Sequence, residues 1–369
     1  LDTIVCTYTH GGERVMARLD VNTGDLRTLE VAYQGASING APGRAVYIGA
    51  SPTQTAAVVR LDLSGIGTPT GVPAPVRSDV LRESTEFKLD EGYISIARPV
   101  EFPTAGGLTA HGYFYAPRNR DYAAPEGELP PLIVTSHGGP TSATTGDLSL
   151  GRQYWTSRGF AILDVNYGGS TGYGRAYRER LNDNWGVVDV QDCINGARWL
   201  VEGGLVDGDR LIIRGGSAGG YTTLCAITFH DVFRAAASYY GVSDAEALAR
   251  DTHKFESRYC DSLIGPYPAA RDVYVARSPI HIADQCSAAL ILFQGLEDEV
   301  VPPDQSEAMF VAARNKELPV AYIALAGEGH GFRQAANIKR TMEAELYFYS
   351  RVFGFALAEV VEQVEIENL

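Results

Sequence analysis

The chain has 369 residues, room for two to three domains at about 100–200 residues each, and 31 basic against 45 acidic side chains leave a net charge of −14. That balance argues against a duplex-binding or anionic-membrane protein, since both need clustered positive charge. A hydrophobic content of 45% with 21% charged residues belongs to a globular chain, and no run approaches the ~18 apolar residues of a membrane span.

Five cysteines (Cys6, Cys193, Cys225, Cys260 and Cys286) are scattered and form no CxxC pair. This excludes a disulfide framework or a Cys-rich zinc site and predicts a reducing compartment, the cytoplasm. The start, Leu1-Asp2-Thr3-Ile4, has neither Met nor a signal segment and reads as a cut end.

The first 83 residues repeat. Arg18-Leu19-Asp20-Val21 precedes the turn Asn22-Thr23-Gly24-Asp25, and Arg60-Leu61-Asp62-Leu63 precedes Ser64-Gly65, 42 residues later. Short alternating strands at that period point to the last two blades of a β-propeller. Two repeats cannot bury their faces alone, so the other blades are expected on a separate or removed polypeptide. The competing reading is a small β-meander packed on its neighbour.

Residues 84–91 form a polar linker, and residues 92–355 a second domain. A hairpin is predicted from Tyr93–Phe102 and Leu108–Tyr115 around Thr104-Ala105-Gly106-Gly107. Apolar runs at Leu132–Ser136, Ala161–Val165, Leu211–Arg214, Ala235–Tyr239, Ala289–Gln294 and Val320–Leu325 read as parallel strands buried on both faces. Between them, Val190, Cys193, Ile194, Ala197, Leu200 and Val201 recur at helical spacing. Further helices are predicted from Pro303 towards Lys316 and over 335–353. The alternation predicts an α/β fold with a doubly wound sheet. The tail, residues 356–369, is acidic and expected to be peripheral.

Gly215-Gly216-Ser217-Ala218-Gly219 is a G-x-S-x-G run between a predicted strand and an apolar helix, the context of a nucleophile elbow. In this class of sheet the order along the chain is Ser, then Asp or Glu, then His. Glu297, Asp298 and Glu299 follow the strand ending at Gln294, and His330 follows the strand ending at Leu325. His330 would take the Ser217 proton, and one of the three acids would orient the imidazole. His137-Gly138-Gly139-Pro140 follows another strand; Gly139 and Ala218 could supply backbone amides to an oxyanion. His137 falls out of chain order as a rival base and reads as structural. Gly168-Gly169 and Gly172 lack the downstream pattern of a dinucleotide site, so neither a cofactor nor a metal is predicted.

His137-Gly138-Gly139-Pro140, Asn166-Tyr167-Gly168-Gly169-Ser170-Thr171-Gly172-Tyr173-Gly174, Asn184-Trp185-Gly186, Gly215 to Tyr221, Ala276-Arg277-Ser278-Pro279-Ile280, Asp298 with Val301-Pro302, and Gly329-His330-Gly331-Phe332 together resemble the prolyl oligopeptidase family of serine peptidases. The acylaminoacyl-peptidase and dipeptidyl-peptidase branch is the most similar, and bacterial aminopeptidases that hydrolyse puromycin belong there too. The resemblance implies an α/β-hydrolase fold behind a seven- or eight-bladed propeller, Asp298 as the triad acid, and oxyanion donors at Gly139 and Ala218. Tyr167, Tyr221, Tyr240 and Val300 are the positions expected to meet substrate. Many members carry Arg or Asn where this chain has Val300, so that anchor is missing or supplied elsewhere. The stretch from Gly241 to Leu248 is small and aliphatic, which suggests a roomy primary pocket.

The implied substrate is a short peptide or aminoacyl amide, cleaved through an acyl-enzyme on Ser217. A carboxylesterase would use the same triad, and a catalytically dead interaction module would need none of it.

Overall fold

The structure, a computed structural model, describes residues 3–64, 76–251, 254 and 256–369. Leu1, Asp2 and the turn residue Gly65 lie outside the described residues.

Among the described residues, seven strands build two antiparallel sheets at the N-terminal end. β1 (Thr3–His10), β2 (Glu13–Asp20) and β3 (Leu26–Thr28) form one; β4 (Gln34–Ala41), β5 (Arg44–Ala50), β6 (Ala57–Asp62) and β7 (Ser78–Glu83) form the other. The two repeated aspartates do the same work. Asp20 ends β2 and accepts the amides of Asn22 and Thr23 at 2.9 and 3.0 Å; Asp62 ends β6 and accepts the amide and hydroxyl of Ser64 at 2.9 and 2.6 Å. Each short carboxylate supplies the turn with an acceptor that the backbone lacks. Met16, Leu29, Tyr33, Tyr47, Val59 and Leu61 form a small apolar cluster between the sheets.

The second region is an eight-stranded sheet. Its strands are β8 (Arg98–Pro103), β9 (Thr109–Tyr115), β10 (Leu132–Ser136), β11 (Ala161–Asn166), β12 (Leu211–Gly216), β13 (Ala235–Tyr239), β14 (Ala289–Gly295) and β15 (Val320–Leu325). They lie in the order β15-β14-β13-β12-β10-β11-β9-β8, with the six strands from β10 to β15 parallel and the β8–β9 hairpin antiparallel at the edge. Helices Val188–Glu202, Ala218–Thr228 and Pro303–Asn315 cover one face; Leu150–Thr156 and Ala335–Phe353 cover the other. β14 shows why its run of apolar residues is unbroken. Leu290 and Leu292 enter one core cluster while Ile291 and Phe293 enter the other, all fully buried. Each such side chain contributes about 1.5–3 kcal/mol.

Two expectations shift, at the hairpin and at the tail, and one predicted helix buries more than its apolar stripe. The hairpin's first strand starts at Arg98 rather than Tyr93, because residues 91–93 form a 3-10 turn capped by Asp90 and Ser95 bonds the Gln153 side chain through both its amide and its carbonyl. The helix over 188–202 buries Asp189 and Asp192 beside its apolar stripe. The tail is not merely peripheral: Glu367 pairs with Val320 on the edge strand, and Phe355, Leu357, Val364 and Ile366 pack on the second core cluster.

One ion pair ties the last helix to the sheet. Glu345, fully buried, accepts Arg214 at 3.2 Å and the hydroxyls of Tyr239 and Tyr349 at 2.5 and 2.7 Å. Removing one partner of such a pair leaves the other uncompensated, whereas an apolar replacement of both is nearly neutral. Glu345→Ala should therefore lower stability by about 3–5 kcal/mol in urea unfolding. The double change R214M/E345L should recover part of that loss, since the Tyr239 and Tyr349 hydroxyls still lose their acceptor; a single variant within about 1 kcal/mol of the parent would show that the pair does not hold the helix.

Candidate active site

Ser217 lies between β12 and helix Ala218–Thr228 with φ 57° and ψ −121°, the strained region that non-glycine residues avoid. The turn closes because its flanking glycines allow backbone contact. A Cβ on Gly219 would collide with the Ser136 carbonyl, and one on Gly215 with the Gly219 carbonyl. Ser217 thereby stands above the carboxyl ends of the strands, where open α/β sheets hold ligands.

His330 Nε2 lies 2.8 Å from Ser217 Oγ, and His330 Nδ1 lies 2.8 Å from Asp298 Oδ2. Of the three acids left open by spacing, only Asp298 reaches the histidine. Its second oxygen accepts the amides of Val300 and Val301, each at 2.9 Å, and Gln294 Nε2 approaches Oδ2 at 3.3 Å. Asp298 is 4% exposed. With Nδ1–H given to Asp298, Nε2 is left to accept the Ser217 proton.

The loop after β10 passes directly over the serine: a Cβ on Gly138 would stand 3.5 Å from Ser217 Cβ. Gly139 follows with φ 125°. The Ala218 amide opens a helix, so it has no intrahelical acceptor.

The four positions expected to meet substrate divide. Tyr240 is half-buried at φ 40°, under Gly216, with its ring 4.8 Å from His330 and 5.2 Å from Phe332. Burial pushes its phenol upward. Val300 turns its side chain against the first core cluster and contributes its amide to Asp298. Tyr167 and Tyr221 are corrections, because both are fully buried and face no open surface. Tyr167 donates to the Pro140 carbonyl at 2.8 Å and stacks on His137 at 4.4 Å. Tyr221 donates to the Arg277 carbonyl at 2.8 Å with its ring 4.5 Å from Trp185. They hold the motifs to each other. His137 bonds Ser170 and the Gly138 carbonyl rather than Ser217.

Sequence reasoning missed Gln294, Glu328 and Asp189. Gln294 is a lone polar residue in a buried strand; its amide donates to the Val301 carbonyl at 3.0 Å and its oxygen accepts from Ser306 at 2.8 Å. Glu328 closes the loop carrying His330 by accepting the amides of Arg333 and Gln334 and the Asn337 side chain. The Asn337 bond, with those amides, holds its carboxyl below the ordinary range. Asp189 is fully buried between the Gly186 amide and the Thr222 hydroxyl, and burial raises its pKa to about 6. The described residues contain no group of three or more His, Cys, Asp or Glu able to hold a metal.

The motifs and this geometry meet an independent finding: a model of the prolyl oligopeptidase family matches residues 147–356. The chain belongs to the prolyl oligopeptidase family. A puromycin-hydrolyzing peptidase of Mycobacterium tuberculosis superposes with a TM-score of 0.93 at 46% identity, over 99% of this chain and 54% of that one. A puromycin hydrolase does so with a TM-score of 0.92 at 39% identity, again over 99% and 54%. Dipeptidyl aminopeptidase BIII of Pseudoxanthomonas mexicana is 31% identical over 250 residues, 65% of this chain and 36% of that protein. The chain thus spans about half the length of these solved members of the prolyl oligopeptidase family and about a third of the curated one.

The buried Asp189 gives a pH-dependent expectation. Its folded pKa, about 6, exceeds the 3.8 of a free carboxyl, so its ionised form opposes folding above pH 6 and the penalty vanishes below about 4. Asp189→Asn keeps an acceptor for Gly186 and adds a donor for Thr222. The variant should gain about 3 kcal/mol over the parent at pH 8 and nothing at pH 3.5. A gap that is the same at both pH values would remove Asp189 as the source.

Proposed function

We propose that this chain carries the catalytic region of a serine peptidase or amidase that cleaves short peptides or aminoacyl amides. The observation that carries the reading is the unbroken line Asp298–His330–Ser217 at 2.8 Å per link on a strained elbow. Ser217 attacks the scissile carbonyl while His330 takes its proton. Asp298 stabilises the resulting imidazolium, and the amides of Ala218 and Gly139 receive the negative charge on the carbonyl oxygen. His330 then protonates the leaving amine, and water repeats the sequence to release the acyl group. Tyr240, against the histidine, and Val300, beside Asp298, border the site in this reading; the family Arg or Asn grip on substrate is absent at Val300.

Amide cleavage rather than ester cleavage is favoured by the family and by the peptidase names of its relatives. The two N-terminal sheets fit the last blades of a propeller that narrows access to Ser217. Ile48 and Leu81, 58% and 52% exposed, give those sheets apolar surface that further blades would cover. The five free thiols fit the cytoplasm.

A fluorophosphonate label should attach to Ser217, and Ser217→Ala should keep the fold while losing about 10³-fold or more in kcat/KM on an aminoacyl anilide. Substantial residual turnover would mean another nucleophile. Ester turnover without anilide turnover for the same acyl group would make the protein a carboxylesterase.

A further inference from the structure

The segment from His137 to Leu148, which carries Gly139, is zipped by hydrogen bonds to the end of β11 and the segment that follows it. Tyr167 donates to the Pro140 carbonyl at 2.8 Å, and Ser170 Oγ lies 2.7 Å from His137 Nε2. The Thr171 amide donates to the Ser142 carbonyl at 2.8 Å, and Asn166 exchanges bonds of 2.8 and 3.1 Å with the backbone of Thr144. His137 Nδ1 is 2.8 Å from the Gly138 carbonyl, which makes Nδ1 the donor and leaves Nε2 to accept the Ser170 proton. Burial lowers the pKa of His137, in keeping with that neutral tautomer.

The other end of this zipper is gripped by the N-terminal strands. The turn between β1 and β2 sits on Gly172 and Tyr173: the Gly12 amide donates to the Gly172 carbonyl at 3.3 Å, and Tyr113 donates to the Gly12 carbonyl at 3.2 Å. Gly12, at φ 82°, leaves no room for a side chain; a Cβ there would collide with the Tyr173 hydroxyl and stand 2.7 Å from Cζ. Tyr173 in turn accepts from Asn166 at 3.0 Å and stacks on His111 at 4.3 Å. A second grip lies at the far end of the oxyanion segment, where the Leu148 amide donates to the Ser51 carbonyl at 2.8 Å and Arg14 stands 3.7 Å from Asp147.

We infer that docking of the β1–β2 turn on Gly172 and Tyr173 positions the Gly139 amide for the reaction, with Ser170 and His137 as the positioning residues that carry the constraint. The inference rests on the hydrolase reading above. Its physical content is that an oxyanion donor must sit within a few tenths of an ångström of its place, while the loop holding it is fastened to a turn of the other region.

Two variants of the full chain test it, each away from the reacting atoms. Gly12→Ala forces the turn off Tyr173, and Ser170→Ala cuts the bond to His137 with the turn still docked. In each, kcat on the aminoacyl anilide should fall about 10- to 100-fold with KM within about twofold, and phenylboronic acid, which forms a tetrahedral adduct on an activated serine, should bind correspondingly less tightly. The double variant should lose no more than the worse single one, since both act through one path. Near-UV circular dichroism identifies a variant that has unfolded; the conservative Ser170→Thr, which keeps the hydroxyl, should then restore kcat. Folded single variants with parental kcat and boronate affinity, or losses that multiply in the double variant, would overturn the inference. A parent chain that takes no fluorophosphonate at Ser217 would instead overturn the hydrolase reading.

Discussion

Ser217 holds φ 57° in a turn whose close backbone approaches fall at Gly215 and Gly219, where no side chain stands in the way. That conformation costs on the order of 1–3 kcal/mol, which the packed sheet and helix must supply. Gly215 and Gly219 let the elbow fold back on itself and on Ser136, bringing β10, β12 and helix Ala218–Thr228 within backbone contact. Everything chemical is arranged about this point. The serine is lifted to the strand ends, the first amides of the helix are left unpaired beneath it, and the glycine loop after β10 is drawn across it.

The remaining members arrive from the next strands by the same logic. β14 and β15 run parallel to β12, so the loops that leave them emerge on the same edge. Small polar devices then fix each loop. Asp298 is tied by the amides of Val300 and Val301, the His330 loop is closed by Glu328, and Gln294 braces the first against the following helix. Nearly every functional side chain has its position set by a neighbour that takes no part in chemistry. The antiparallel edge and the N-terminal sheets extend that pattern to the glycine loop, through Gly172, Tyr173 and Ser170.

Much of this was legible because parallel strands buried on both faces leave continuous apolar runs. β10, β13 and β15 begin and end where those runs do, and helix Ala335–Phe353 matches its pattern end to end. The elbow was legible for a similar reason, since few residue combinations tolerate its backbone. The order of nucleophile, acid and base along the chain then placed His330 and narrowed the acid to three neighbours. Spacing alone could not choose among Glu297, Asp298 and Glu299; the turn does, by directing only Asp298 inward against the amides that follow it.

Tyr167 and Tyr221 mark the boundary of what composition can tell. A tyrosine beside a glycine-rich motif fits either a pocket wall or a buried strut, because one ring serves both. In the fold each hydroxyl finds a carbonyl, of Pro140 and Arg277, and the ring is enclosed. Asp189 and Asp192 look like exposed helix residues in a linear pattern, yet both are buried because Thr222, Gly186 and Gly168 come from other elements to satisfy them. Local patterns determined the strands, the strained turn and the types of residue able to react, since backbone sterics and burial period act over a few residues. Which acid faces the histidine, which tyrosines are closed in and what holds the glycine loop were decided by contacts between segments far apart in the chain. Hydrogen-bond partners are chosen only when the sheet has brought them together.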